Sequence, residues 1–400
     1  MQDDKKEKID ELINGALAVK TASKPLFFDL NEPADRAKLN ELFSQGAIRR
    51  VSDDYEEQLR ELFGVLNPPL VYAPDFKDKF EAYCEGLKKK GDLRRQGNWV
   101  YFPWSSTLVH ILEEKDFQSV RTARNKNLID KEEQERFYNC TVGIAGLSVG
   151  SSVALAIAMG GGAKHMKLAD MDKLALSNTN RILTGVDNLG VAKVELAARK
   201  IYEINPYAQV ELFPDGITKD NIERFFDGLS IVIDEIDSLA FKYLIRVEAK
   251  KCGIAVVMAA DNGDNAVVDI ERYDLARDTP FFHGRMGDDV SFEMLSGLDK
   301  FGIGKMITKH VGPENVTERM QQSLMEMGKT IVSWPQLGGA ALVNGAAVAY
   351  CVRKILNKQP LETNRALVSL DEKLVPGYGS PEEVERRHQI SEAFKKIFGL

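Results

Sequence analysis

The chain has 400 residues, with 53 Lys and Arg against 60 Asp and Glu, and a formal net charge of −7. An apolar share of 44% and a charged share of 28% exclude a disordered chain, and the net acidity argues against general binding to nucleic acid or to an anionic membrane. Four Cys without a Cys-x-x-Cys pair, and five His without metal or triad spacing, argue against a disulfide framework and against a four-Cys zinc site.

Residues 1–115 read as an N-terminal accessory α+β domain. The opening MQDDKKEKID lacks the apolar core of a signal peptide, so a cytoplasmic, reducing location is expected. A charged amphipathic helix is expected over 4–20, and helical patterns recur at 34–45 and 54–64. Asn67-Pro68-Pro69 marks a break. Residues 98–112, rich in Trp, Tyr and Phe around Pro103, predict two short strands.

From about 138 the pattern alternates between apolar strands and helices. Strands are expected over 141–145, 165–170, 209–213, 230–236 and 254–260, and helices over 152–159, 191–204, 219–226 and 238–252, the last closed by Gly253. Apolar strands separated by helices indicate a parallel sheet covered on both faces. The fold class is therefore α/β, a Rossmann-like doubly wound, mainly parallel sheet. It is expected over 116–362, with a less regular insert inside 275–335 and a tail at 363–400. Helices are expected over 313–328, 337–357 and 381–397, the last started by Ser380-Pro381-Glu382-Glu383. Residues 330–352 carry no charge and are long enough to span a bilayer. Their Gln336, Asn344 and glycines favour a buried helix packed through small faces instead.

The chemistry is concentrated in four places. Gly146-Leu147-Ser148-Val149-Gly150-Ser151 follows the first strand of this region, where glycines let the backbone approach a phosphate at a helix N-terminus. Ser148 stands where the dinucleotide pattern has its middle glycine. Asp170 ends the second strand, the usual place for a carboxylate that accepts ribose hydroxyls, and Asp172 follows. Ser177-Asn178-Thr179-Asn180-Arg181 and then Lys193 supply two cations, which have little use in hydride transfer and an obvious use on a triphosphate. Asp234, Glu235 and Asp237 end an apolar strand at the mouth of the sheet, where one carboxylate could hold Mg²⁺ against phosphates.

Together these elements resemble the ThiF/MoeB family, adenylyltransferases related to ubiquitin-activating enzyme, over about 118–362. The resemblance implies adenylation of a carboxylate with ATP and Mg²⁺, releasing pyrophosphate. It places Gly146, Ser148, Gly150, Asp170, Asp172 and Asn178 at the nucleotide, Arg181 and Lys193 on the phosphates, and Asp237 on Mg²⁺. It also implies a homodimer in which an arginine before the first strand, Arg124, reaches the neighbour's nucleotide, with Arg121 as second choice. The turn is shorter than the family's Gly-x-Gly-Gly-x-Gly. The family's zinc pairs are absent, and no Cys lies within 275–335, where thioester-forming members carry theirs.

The expected function is thus adenylation without a thiol relay. The substrate would carry a carboxylate, such as that of a ubiquitin-like carrier or a peptide C-terminus. Neither a membrane nor a nucleic-acid partner is expected. Cys252 reads as a packed, inert thiol, Cys351 as core, and His283 as a loop residue. An NAD(P)-binding oxidoreductase and a non-catalytic nucleotide-binding scaffold remain the alternatives.

Overall fold

The computed structural model describes residues 23–287 and 289–399, so the helix expected over 4–20 lies outside the described residues. The chain divides into two compact units, residues 1–124 and 125–400.

The first unit is built on four strands, β1 (Leu26–Phe28), β2 (Arg50–Asp53), β3 (Asn98–Phe102) and β4 (Thr107–Ile111), in the order β1-β3-β4-β2. β3 and β4 are the two aromatic strands expected from the sequence. Pro103, which has no N–H to give a ladder, opens the turn between them, and Ser106 at φ 52° completes the reversal. Helices α1 (Pro33–Ser44), α2 (Tyr55–Leu66), α3 (Phe76–Lys88) and α4 (Glu114–Arg121) complete the unit. Leu59, Leu62 and Phe63 of α2 pack with Phe80 and Cys84 of α3, while Phe28, Leu39, Trp99, Tyr101 and Leu108 form a second cluster. His110 is buried between the rings of Tyr55 and Trp99, at centroid distances of 4.0 and 4.4 Å. Its Nδ1 lies 2.8 Å from Asp53 and its Nε2 2.7 Å from the Gln96 carbonyl, so both ring nitrogens have partners.

The second unit holds a seven-stranded sheet: β5 (Thr141–Ala145), β6 (His165–Ala169), β7 (Gln209–Phe213), β8 (Ile231–Asp234), β9 (Ala255–Asn262), β10 (Asn265–Glu271) and β11 (Arg365–Val368). The order is β11-β10-β9-β8-β5-β6-β7. The strands from β9 to β7 run parallel, and β10 and β11 add an antiparallel edge. This is the expected Rossmann-like, doubly wound and mainly parallel sheet. The chain leaves β5 toward β6 and β7 on one side and returns to β8 and β9 on the other. In open α/β sheets such a switch, beyond the carboxyl ends of β5 and β8, is where ligands bind.

Helices α5 (Lys131–Asn139), α6 (Val149–Met159), α7 (Lys193–Ile204), α8 (Ile222–Phe226) and α9 (Leu239–Cys252) belong to the parallel part of this unit. α8 is shorter than the helix expected over 219–226. Asn221 Oδ1 accepts from the Thr218 N–H while Thr218 Oγ1 accepts from the Asn221 N–H, and this local turn replaces the first helical turn. The stretch expected to be irregular contains α10 (Phe292–Ser296) and α11 (Lys300–Val311), the latter capped by Asp299. The helix expected over 313–328 is a 3-10 turn followed by α12 (Glu318–Met325). α13 (Gly338–Leu356), α14 (Leu370–Leu374) and α15 (Pro381–Phe398) follow, with Ser380 capping the last. Residues of the expected tail thus also supply β11.

Among the described residues, α13 alone is long and apolar enough to cross a membrane. Its buried face, with Ala341, Gly345, Val348 and Val352, instead packs on α6, β9 and β10. A Cβ on Gly345 would stand 2.7 Å from the Ser152 carbonyl oxygen, so only glycine permits this approach.

Candidate nucleotide site

The turn between β5 and α6 is set by a contact that only glycine allows. Gly146 has φ +89°, and a Cβ there would lie 2.3 Å from the Glu235 carbonyl oxygen. The backbone therefore passes close under the end of β8 before α6 begins at Val149. The α6 N-terminus has no side-chain cap, so its first N–H groups are left for an anion at the crevice.

Asp170 follows β6 and is tied to this turn. Its Oδ2 accepts from the Leu147 N–H at 2.7 Å and its Oδ1 from the Asp172 N–H at 2.8 Å. Burial pushes its carboxyl upward, opposed by those backbone N–H groups and by Lys193. Lys193, at the start of α7, places Nζ 2.7 Å from Asp172 and 3.9 Å from Asp170. Lys193 is buried while the Asp172 side chain is 62% exposed, so the cation is fixed and its counter-ion can swing away. A carboxylate that accepts two N–H bonds keeps lone pairs for two ribose hydroxyls.

Arg181 approaches the same turn from the loop after β6. Its Nε donates to Ser148 Oγ at 2.8 Å, and its Nη1 to the Ser177 carbonyl at 3.2 Å and to Asn180 Oδ1 at 2.9 Å. Burial lowers the guanidinium from its ordinary value, opposed by Asp261 and Asp237. Asn178 is partly committed, because its Oδ1 accepts from the Ala175 N–H at 3.0 Å.

The three acids after β8 separate. Asp234 is fully buried and paired with two cations, Arg246 at 2.5 Å and Lys242 at 3.2 Å. The Glu235 side chain turns inward, accepts from the Ala259 N–H at 2.9 Å, and is pushed well above the usual carboxylate range by burial. Asp237 is the exposed one, and its charge acts on Arg181.

One acid escaped the sequence reading. Asp261, near the end of β9, is buried and accepts from Gln336 Nε2 at 3.1 Å and from Asn344 Nδ2. Burial pushes its carboxyl up to about 6, against the pull of those amides and of Arg181. The signal was present, since an acid ends an apolar parallel strand here as at Asp170 and Asp234. Because its pKa is raised, the folded chain binds a proton that the unfolded chain has released. Stability from this group is therefore present below the ordinary aspartate value of 3.8 and is lost as pH rises through about 6. Asp261→Asn should flatten that decline, measured by urea unfolding from pH 4 to pH 8. Glu235 contributes in the same direction and keeps a residual slope. An unchanged profile would sink the assignment.

The remaining candidates lie elsewhere. Arg124 sits in a short turn at the end of the first unit. Cys252 is exposed rather than packed, which corrects the sequence reading. Partial burial and the Glu248 charge raise its thiol, the opposite of a reactive thiolate. Cys351 is buried, as expected. His283 is tied by Nε2 to the Ile270 carbonyl at 3.0 Å.

Gly146, Ser148, Asp170, Asp172, Arg181 and Lys193 thus come together around one turn. An uncapped helix start, a buried carboxylate with spare lone pairs and two cations suit a nucleoside polyphosphate. No group of three or more His, Cys, Asp or Glu that could hold a metal occurs among the described residues. Mg²⁺ carried by phosphates needs only one or two carboxylates, and the exposed Asp237 fits that demand.

The chain is similar to several known proteins. The uncharacterized protein MT1398 of Mycobacterium tuberculosis is 36% identical over 350 residues, 84% of this chain and 48% of that protein. The tRNA threonylcarbamoyladenosine dehydratase of Escherichia coli is 39% identical over 31% of this chain and 46% of its own length. The sulfur carrier protein adenylyltransferase of Thermus thermophilus is 24% identical over 40% of this chain and 57% of its own. The chain spans about half the length of these relatives. The ThiF family model matches residues 122–284, and the relatives include adenylyltransferases.

Proposed function

We propose that the chain binds ATP with Mg²⁺ and adenylates a carboxylate. The observation that carries this reading is the pair of cations, Arg181 on Ser148 at 2.8 Å and Lys193 on Asp172 at 2.7 Å, set around the Gly146 turn. A ribose-binding Asp170 alone would suit a dinucleotide equally well. Two fixed cations suit a triphosphate.

In this reading the substrate carboxylate oxygen attacks the α-phosphorus, forming a P–O bond. The bond from the α-phosphorus to the oxygen bridging to the β-phosphate breaks, and pyrophosphate leaves with the electron pair. Asp170 accepts the ribose hydroxyls, the α6 N-terminus and Asn178 orient phosphates, and Arg181 and Lys193 stabilise the charge that develops on them. Asp237 would hold Mg²⁺, which when bound neutralises phosphate charge. No thiol takes part, and the acyl-adenylate passes to an external nucleophile. The carboxylate belongs to a carrier-protein or peptide C-terminus, residues 1–115 and the 275–335 insert help select it, and the enzyme works in the cytoplasm. It works as a homodimer in which Arg124 serves the neighbouring site. The dehydratase relatives keep a carboxylate on a tRNA nucleoside as the second substrate to try.

The test is ATP–pyrophosphate exchange with candidate carboxylates, alongside thermal stabilisation by ATP–Mg²⁺ and by NAD(P). Stabilisation by ATP–Mg²⁺ together with carboxylate-dependent exchange is expected. Stabilisation by NAD(P) but not by ATP–Mg²⁺ would overturn the reading, and ATP binding without exchange would leave a scaffold.

A further inference from the structure

Arg181 lies on a stretch between β6 and α7 that has only 3-10 turns, where a long side chain has many rotamers to lose. Its neighbour Asn180 is held from both sides. Asn180 Oδ1 accepts from Arg181 Nη1 at 2.9 Å, and Asn180 Nδ2 donates to the Gln336 carbonyl at 2.8 Å. Reversing that amide would lose both bonds. Gln336 belongs to the segment leading into α13, and its own Nε2 donates to Asp261 Oδ2 at 3.1 Å. Asn344 of α13 holds the other Asp261 oxygen. Gly338 packs so closely that a Cβ would stand 2.3 Å from the Asn180 carbonyl oxygen. Gln336 therefore links the end of β9 to the arginine on the Ser148 turn, its side-chain amide on Asp261 and its backbone carbonyl on Asn180.

We propose that Asp261, Gln336 and Asn180 form a positioning relay, anchored at Asp261, that sets the Arg181 guanidinium against the Gly146–Ser148 turn. The relay's catalytic consequence rests on the reading that Arg181 contacts the triphosphate. Its structural part does not. A buried carboxylate is costly to desolvate, and here it accepts from two amides, one on the 330–337 segment and one on α13. Both segments are thereby fixed to the sheet end that faces Arg181. None of the three residues needs to touch substrate, since each acts through the next.

Two readouts test this. In nucleotide-free protein, hydrogen exchange of the peptide covering 176–183 should quicken roughly tenfold in Gln336→Ala and in Asn180→Ala, with no further gain in the double variant. Val332→Ala, at a fully exposed position of the same segment, should leave it unchanged. An unchanged rate in Gln336→Ala overturns the relay, whether or not the protein turns over. In ATP–pyrophosphate exchange, Gln336→Ala should lower kcat roughly 10- to 100-fold while KM for ATP stays within about threefold. The Asn180→Ala/Gln336→Ala pair should be no slower than Asn180→Ala alone. Additive losses overturn the relay. A wild-type chain without exchange sinks the proposed function and leaves hydrogen exchange to decide the relay.

Discussion

Replacing Arg181 by alanine is expected to lower ATP–pyrophosphate exchange by roughly 10²–10³-fold, the usual cost of removing one donor aimed at developing charge. The fold should survive. Arg181 is half-buried at the crevice, and the groups it leaves behind, Ser148 Oγ, the Ser177 carbonyl and Asn180 Oδ1, can be rehydrated. Its loss also removes a buried charge whose desolvation the structure now bears. Arg181→Lys should recover little, because an ammonium cannot span Ser148, Asn180 and a phosphate oxygen as a planar fork does. Lys193→Ala should cost exchange to a similar extent, but with a second effect. It strips the cation from the buried Asp170 carboxylate and from its neighbour Asp172. The melting temperature should therefore fall in Lys193→Ala and hold in Arg181→Ala. Undiminished exchange in both variants refutes their roles on the phosphates.

The parallel strands β5, β8 and β9 were legible in the sequence because they are largely apolar runs that end at acids or glycines. The antiparallel edge was not. Asn262-Gly263 is a hairpin signal, and the register pairs Asn262 with Asn265 around Gly263 at φ +66°, yet no strand was expected beyond it. β11 is short and half-exposed, and it pairs with a strand far back in the sequence, so no local pattern marks it. α11 was hidden by Gly302 and Gly304, which weaken a helix that tertiary packing nonetheless supports. Around the site, the residue types around the turn were readable. What spacing could not reveal was which acid of Asp234, Glu235 and Asp237 stays exposed, because that depends on cations from α9 and on partners far away in the chain. Asp261 was missed for the same reason, since its partners Gln336 and Asn344 lie on the crossover segment and α13.

The buried cation behind the site yields the largest expected loss of stability. Arg246 of α9 is fully buried, with Nη1 2.5 Å from Asp234 and Nε 2.7 Å from Glu271, and its guanidinium lies 4.0 Å over the Phe282 ring. Glu271 also accepts from the Tyr273 hydroxyl at 2.8 Å and the Phe282 N–H at 2.7 Å. Arg246→Met should cost about 3–5 kcal/mol, because it leaves two buried carboxylates short of a cation, with Lys242 remaining on Asp234. Burial pulls the Asp234 carboxyl upward, but Lys242 and Arg246 outweigh it and hold it below its ordinary value. That depressed carboxyl favours the folded state above the ordinary value of 3.8, and the advantage disappears as pH falls through the folded value. The gap between wild type and Arg246→Met, read by urea unfolding, should therefore narrow in acid. Adding Asp234→Asn and Glu271→Gln to Arg246→Met should restore part of the loss at neutral pH, since the stranded charges are then gone. A gap independent of pH, with no recovery in the triple variant, would mean that the methionine disturbs packing and that the ion cluster contributes little. Asp234 and Glu235 are adjacent, and the Glu235 carbonyl fixes how Gly146 can turn. Arg246→Met should for that reason also weaken ATP binding, whereas a destabilising change remote from β8 would leave the affinity of the folded fraction unchanged.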